Sequence, residues 1–376
     1  MSKATNTSRY SHLEQFALEP DGIKFAIEQV DGIINELKAG TQNTFSLQVK
    51  GEGAPGFVAG IDPEDKKFFV AYKQAVSRDL PLMKTAQDVK NVYSDNAKLL
   101  GTFTELLRKL PKVIKSGFYG GDVLFSSSTP KTMKNVGNNV YVTFKPNTLK
   151  FGIIADKDSS IVTADIGVMI HTKFSGNKVN GATGSFNVDV DNDKSLSNSS
   201  NVFVTDGQAK RVFSNAIEIE NSKINSIRLK LNTLKGLSRT ISKDDYADLK
   251  PIITKIEPFV NSKVKSNDPE ALKKSNNFIN DLLDLGGVSA KQKKILDESS
   301  NRKNQLRKII ISYIILYQIK QLMVQSLNKL DQKIDVFDSS GKTNPEGYLI
   351  VDKKNNSVVK LIDRFNFSRI NFAAHK

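Results

Sequence analysis

Apolar residues recur along this chain at two spacings, and the points where one gives way to the other divide it into blocks. From His12 to Leu37 the positions Phe25, Ile27, Val30, Ile33, Ile34 and Leu37 fall three or four apart, which predicts an amphipathic helix capped by Asp21 and stopped at Gly40. Between 44 and 205 the pattern shortens to β-rich runs bounded by Gly, Pro and Asn: TFSLQV, GFVAGI, KFFVAY, GDVLF, NVYVTF, LKFGII, ADIGVMIHT and NVFV. One helical stretch, Asp88 to Leu110, interrupts them. From 206 to 335 leucines, isoleucines and lysines return to helical spacing, and Pro251, Pro258, Pro269 and Gly286-Gly287 cut the region into several helices. GYLIVD and SVVKLID then restore the strand pattern. The expected organisation is an N-terminal helical segment (1–43), a first β-rich part (44–205), a helical insertion (206–335) and closing strands (336–376). The expected class is α+β on antiparallel sheet, because the closing strands need a sheet to join.

Composition narrows the chemistry. The 376 residues carry 55 Lys+Arg against 40 Asp+Glu, a net charge of +15, and the chain is long enough to bury a substantial core. Between Asn221 and Lys333 there are 22 basic and 11 acidic residues, so most of the excess sits in the helical block. Positive charge of this kind favours polyanionic partners through counterion release, although a solvated basic bundle that binds nothing has the same composition. The absence of cysteine excludes disulfides, thiolate metal sites and a cysteine nucleophile. Three histidines (His12, His171, His375) leave little for a multi-histidine metal site. The N-terminus lacks the apolar run of a secretory signal, and the stretch IIISYIILYQI reads as a core helix rather than a membrane span. A soluble, cytoplasmic monomer is expected, with chemistry drawn from Lys, Arg, Asp, Glu or Ser.

Four short stretches could carry that chemistry. In Val49-Lys50-Gly51-Glu52-Gly53-Ala54-Pro55 a lysine leaves a strand, a carboxylate follows two residues on, and glycines allow close backbone approach to a ligand. Gly120-Gly121-Asp122 opens an apolar run with an acid, Glu346-Gly347 opens GYLIVD, and Lys360 interrupts the apolar strand VVKLI. Alone, the Lys50 and Asp122 stretches read more readily as turns, and Lys360 also fits an edge strand. His171 on an apolar strand reads as a hydrogen-bonded structural residue, and Asp189 to Asp193 as an exposed turn without the glycine and distal glutamate of a calcium loop.

In order, Lys-x-(Asp/Glu)-Gly, Gly-(Asp/Glu), Glu-Gly and a lysine strand resemble the covalent nucleotidyltransferase superfamily of ATP-dependent DNA ligases, RNA ligases and capping enzymes. The chain is also similar to an uncharacterised ligase-like family of T4-type tailed phages. That likeness rests on His12-Leu13-Glu14, Lys50 to Pro55, Gly60 to Val70, Gly121 to Phe125, Thr143 to Thr148, Val168 to Thr172 and Glu346 to Phe372. The resemblance implies an antiparallel-sheet nucleotidyltransferase (ATP-grasp-like ligase) core, interrupted here by the basic helices; with 12 residues after Arg364, the C-terminal OB domain of DNA ligases and capping enzymes is not expected. It implies Lys50 as the nucleotidylated lysine, with ATP and Mg2+ as cofactors. Glu52, Gly53, Arg78, Asp122, Glu346, Lys360 and Arg364 would bind the nucleotide, Tyr141 or Phe144 would stack on the base, and Glu346 and Asp122 would hold the metal. Glu52 stands where most members carry Asp, and Val358 and Ile362 flank Lys360 where a second lysine is usual.

The implied activity is sealing of 5′-phosphate and 3′-hydroxyl ends of nucleic acid gripped by the basic helices, RNA being favoured slightly over DNA. Two alternatives stay open: transfer of AMP or GMP to an end without joining, and an inactive ligase-like module serving nucleic-acid binding or phage assembly.

Overall fold

A computed structural model describes residues 10–41, 43–50, 53–146, 149–155, 160–186, 188–197, 199–206, 221–272, 275–329, 334–338 and 341–365. The fold is α+β, with three mainly antiparallel sheets and a large helical block. The first sheet has four strands in the order β1 (Tyr10–His12), β15 (Ser357–Ile362), β14 (Gly347–Asp352) and β2 (Phe45–Val49). The second runs β10 (Thr183–Ser185), β9 (Ile166–Ser175), β5 (Phe118–Phe125), β3 (Gly56–Ile61) and β4 (Phe68–Tyr72), with β11 (Val202–Thr205) beside β9. The third runs β13 (Lys342–Thr343), β12 (Asp335–Phe337), β8 (Lys150–Ile154), β7 (Asn139–Phe144) and β6 (Thr132–Val136). Two pairs are parallel, β1 with β15 and β11 with β9.

The helix expected before Gly40 is α1 (Gly22–Ala39), and Gly40 ends it in the left-handed conformation (φ 65°). Asp21 does occupy the N-cap, but its own φ is 59° and its carboxylate pairs with Lys24 and Lys243 instead of capping. The single helix expected over 88–110 is two, α2 (Ala86–Tyr93) and α3 (Ala97–Lys109). Asn96 divides them by accepting the Leu99 N–H at 3.0 Å. A short α4 (Ser160–Thr163) precedes β9. Beyond 220 come α5 (Asn221–Ser238), α6 (Lys243–Ile253), α7 (Ile256–Lys265), α8 (Ser275–Leu285), α9 (Ala290–Asp297) and α10 (Ser300–Leu327).

These helices share one core with α1 and the first sheet. Alternation along β2, β14 and β15 sends Leu47, Val49, Tyr348, Ile350, Val359 and Leu361 to one face. There they pack with Ile33 of α1, Leu231 of α5 and Ile309 of α10. Each such side chain contributes about 1.5–3 kcal/mol of burial. The helical block is therefore half of the first sheet's core rather than an appendage. By length and mean hydropathy α10 would suffice to span a membrane, and 61% of its most apolar window is buried inside the protein. A second core lies between the second sheet and α2 and α3, and a third joins the second and third sheets through Phe125, Phe144, Phe151 and Phe203.

Candidate active site

Lys50 follows the last residue of β2, and Glu346 precedes the first residue of β14. Because β2 and β14 are antiparallel and Val49 faces Tyr348, the end of one lies beside the start of the other. The Lys50 N–H donates to the Gly347 carbonyl at 2.9 Å, and the Lys50 ammonium donates to Glu346 Oε2 across 296 positions of sequence. The Glu346 side chain is 5% exposed and that of Lys50 21%, so the pair sits at the lip of the interior.

The next row of the sheet reads His12, Lys360, Leu349 and Gln48 across four strands. Gln48 and Lys50 are two positions apart and share a face, opposite to the one that enters the helical core. The first sheet thus has an apolar side built from odd positions of β2 and a polar side carrying Gln48, Lys50, Lys360 and His12. Burial pushes the Lys360 ammonium below its ordinary pKa; nearby Lys50 adds to this and Glu346 opposes it.

The backbone beyond Lys50 crosses to the second sheet. Ala54 N–H donates to the Val123 carbonyl at 2.9 Å, and Val123 N–H returns a bond to the Pro55 carbonyl at 3.0 Å. Gly53 lies so close to β5 that a Cβ there would stand 2.4 Å from the Asp122 Cβ. At Gly56 a Cβ would meet Lys73 Cδ at 2.5 Å and Asp122 Oδ1 at 3.0 Å. His171 Nε2 is 3.6 Å from Asp122 Oδ2, while its Nδ1 lies 2.8 Å from the Thr172 hydroxyl. The two glycines let the chain that follows Lys50 pass close against Asp122, with Lys73 and His171 beside it. Glu52 lies outside the described residues.

Other expected site residues lie elsewhere. Arg364 does not face Lys360: it is 4% exposed and points into the helical core. Its Nη2 donates to Asn261 Oδ1 at 2.7 Å and lies 3.2 Å from Glu257, while Nη1 is 3.5 Å from Glu14. The reason is positional, since β15 ends at Ile362 and its alternation no longer governs residue 364. Glu14 also accepts from Lys320 at 2.6 Å, both side chains being essentially inaccessible. Phe144 is 1% exposed and stacks on Phe151 in the third core. Tyr141 is buried with its hydroxyl on Asp335 at 2.8 Å, so neither ring is presented to a base. Arg78 is exposed in the turn after a 3-10 helix at Lys73–Val76. Glu346 and Asp122, expected to share a metal, stand on different sheets. No group of three or more metal-ligating side chains occurs among the described residues.

Sequence reading missed His12, Gln48 and Lys73 as neighbours of the site and took His171 for a structural residue. The strict alternation of Leu47 and Val49 with Gln48 and Lys50 was the signal that could have placed Gln48. The chain belongs to DUF6267, a family of unknown function whose model matches residues 10–376, from the first residue of β1 onward. No curated protein and no solved structure matches it.

Proposed function

We propose that this DUF6267 member is a nucleotidyltransferase of the polynucleotide-ligase type that carries AMP on Lys50. The observation that supports the reading is the meeting of Lys50, Glu346 and Lys360, far apart in sequence, on the polar side of one sheet. The ligase resemblance gives these three positions their roles.

In this reading the resting contact with Glu346 aims the Lys50 side chain. Attack requires the neutral amine, so the proton passes to the Glu346 carboxylate or to solvent when the triphosphate enters. The Nζ lone pair then forms a bond to the α-phosphorus while the bond to the pyrophosphate oxygen breaks, leaving a phosphoramidate on Lys50 and free pyrophosphate. Lys360 offers positive charge to the phosphate oxygens. Val123, the neighbour of Asp122, holds the Ala54-Pro55 backbone against β5.

A buried carboxylate such as Glu346 fits magnesium, which commonly takes one or two carboxylates together with substrate phosphates. Glu346 would hold the ion, which supplies charge neutralisation on the phosphates when bound. In the second stage the AMP passes to a 5′-phosphate end, and a 3′-hydroxyl displaces it, with RNA slightly favoured over DNA.

The test is incubation with α-labelled ATP, then GTP, plus magnesium, followed by denaturing electrophoresis. Label on the wild type and none on Lys50→Ala is expected, and a nucleotide-free wild type that takes no label overturns the reading. The diversion of Arg364 into the helical core favours the second reading, an unreactive ligase-like module that binds nucleic acid. The same gel separates the two.

A further inference from the structure

At the opposite end of the β2–β14 pair from Lys50 lies a pocket of about 660 Å³, bounded by α1, the end of α5 and the β14–β15 turn. Its volume is that of a small-ligand site. Phe45, the first residue of β2, lines it and rests on α1 at Gly32, where a Cβ would stand 2.1 Å from the ring. The glycine in mid-helix, unfavourable for α1 by itself, is what lets an aromatic ring lie there.

The charges around the ring are unequal in availability. Asp352 accepts from Gln29 Nε2 and Asn355 Nδ2, each at 2.7 Å, and from the turn N–H groups of Lys354 and Asn355 at 3.0 Å. Asp31 is held by Lys235 at 3.2 Å. Both acids are therefore spoken for within the protein. The exposed Arg239 and Lys354 reach the same pocket, with Glu28 as the remaining acid. Gln29 is fully buried at its base, and its Oε1 has no hydrogen-bond partner, so the site lacks one donor.

A second feature leads into the pocket. Arg228, Asn232, Lys235 and Arg239 follow one another at four, three and four residues, which sets them along one exposed face of α5 and its end. Two of the four, Lys235 and Arg239, also line the pocket.

We infer that this groove holds single-stranded nucleic acid, with one unstacked base in the pocket against Phe45 and backbone phosphates on Arg239 and the α5 face. An aromatic platform beside a basic track is the combination that single strands recognise, and a base still paired in a duplex cannot enter such a pocket. An exocyclic amine on the base supplies the donor that Gln29 lacks. Phe45 lies on the helix-facing side of β2 and Lys50 on the other, so the pocket and the Lys50 site occupy opposite faces as well as opposite ends of the strand. The inference shares its partner with the ligase reading but not its chemistry, and it holds whether or not Lys50 takes a label.

Fluorescence anisotropy with an end-labelled single strand of about 12 nucleotides, and the matching duplex as control, tests it across a salt series. Arg239→Gln should weaken single-strand binding about 3- to 10-fold and lower the salt slope by about 1. Phe45→Leu should weaken it about 5-fold or more with the slope unchanged, because stacking carries no counterion release. Glu28→Gln should tighten binding, and Lys50→Ala should leave it alone. Thermal melts check the fold of Phe45→Leu; Arg239 is exposed past the end of α5, so its variant stands as a test by itself. Wild-type affinity in Arg239→Gln, or a duplex bound as tightly as the single strand, overturns the proposal. A Lys50→Ala protein that binds normally but takes no label separates this site from the catalytic one.

Discussion

At the scale of single residues, the most demanding group is Glu14, inaccessible to water and surrounded by Lys320, Arg364 and His12. Burial pushes its carboxyl up, but Lys320, His12 and Arg364 outweigh that and carry it down to about 2. Replacing Glu14 by Gln leaves Lys320 and Arg364 buried without their anion, and is expected to cost about 3–5 kcal/mol in chemical denaturation. His12 is the companion case: burial lowers it from 6.5 to about 3, with Glu14 opposing and Lys320, Arg364 and Lys360 assisting. A depressed folded pKa means that the unfolded chain binds the extra proton between those values. Stability should be complete above pH 6.5 and fall as pH drops toward 3, by up to about 1.4 kcal/mol per pH unit from this one group. Glu14 adds a further loss from about 4.5 down to 2, again because its folded pKa is the lower. Urea midpoints measured from pH 7 to 5 should show the first slope, and His12→Gln should flatten it.

At the scale of elements, the site depends on a close approach of backbone beside Glu346. A Cβ at Gly347 would stand 2.2 Å from the Leu361 carbonyl oxygen and 2.8 Å from Ile362 Cα, so Gly347→Ala must push β14 from β15 beside Glu346. Overpacking of this kind typically costs about 1–3 kcal/mol. In the ligase reading, a folded Gly347→Ala protein should therefore lose most Lys50 labelling, while the same change at the open Gly236, where nothing lies within 4 Å, should not. The strands themselves were legible: β2, β3, β4, β5, β7, β8, β9 and β11 fall on the runs marked by apolar alternation. Edge strands β1, β6, β10 and β13 were not, because an edge can be short and polar; β6, for example, is almost wholly exposed. For the site, period-two alternation locates Lys50 and Lys360 on a face, but it is silent past a strand's end, where Arg364 turns inward. It also cannot distinguish a core aromatic such as Phe144 from a ring awaiting a base, since both are large and apolar. The partnership of His12 with Lys360 is a parallel pairing between the two ends of the chain, and no local pattern carries that information.

At the scale of the whole molecule, the charge excess and the hydrophobic core are carried by the same helices. If they track a phosphate backbone, the affinity for single strands should fall steeply with salt, with a log–log slope near −0.7 per phosphate neutralised. Because Leu47, Tyr348 and Ile350 have α1 and the helical block as their covering, excision of 221–327 should leave an insoluble chain rather than a smaller folded unit; a soluble, cooperatively melting deletion would contradict the shared core. The pairing of β2 with β14 has one more consequence, in the order of synthesis. Among the described residues β2 is an edge strand paired with β14 alone, so it waits for nearly three hundred further residues before that partner is made. The N-terminal helix waits with it for the helices that complete their common core. Glu346 is made 296 positions after Lys50, so a chain interrupted between them carries the lysine without the carboxylate that meets it in the folded protein.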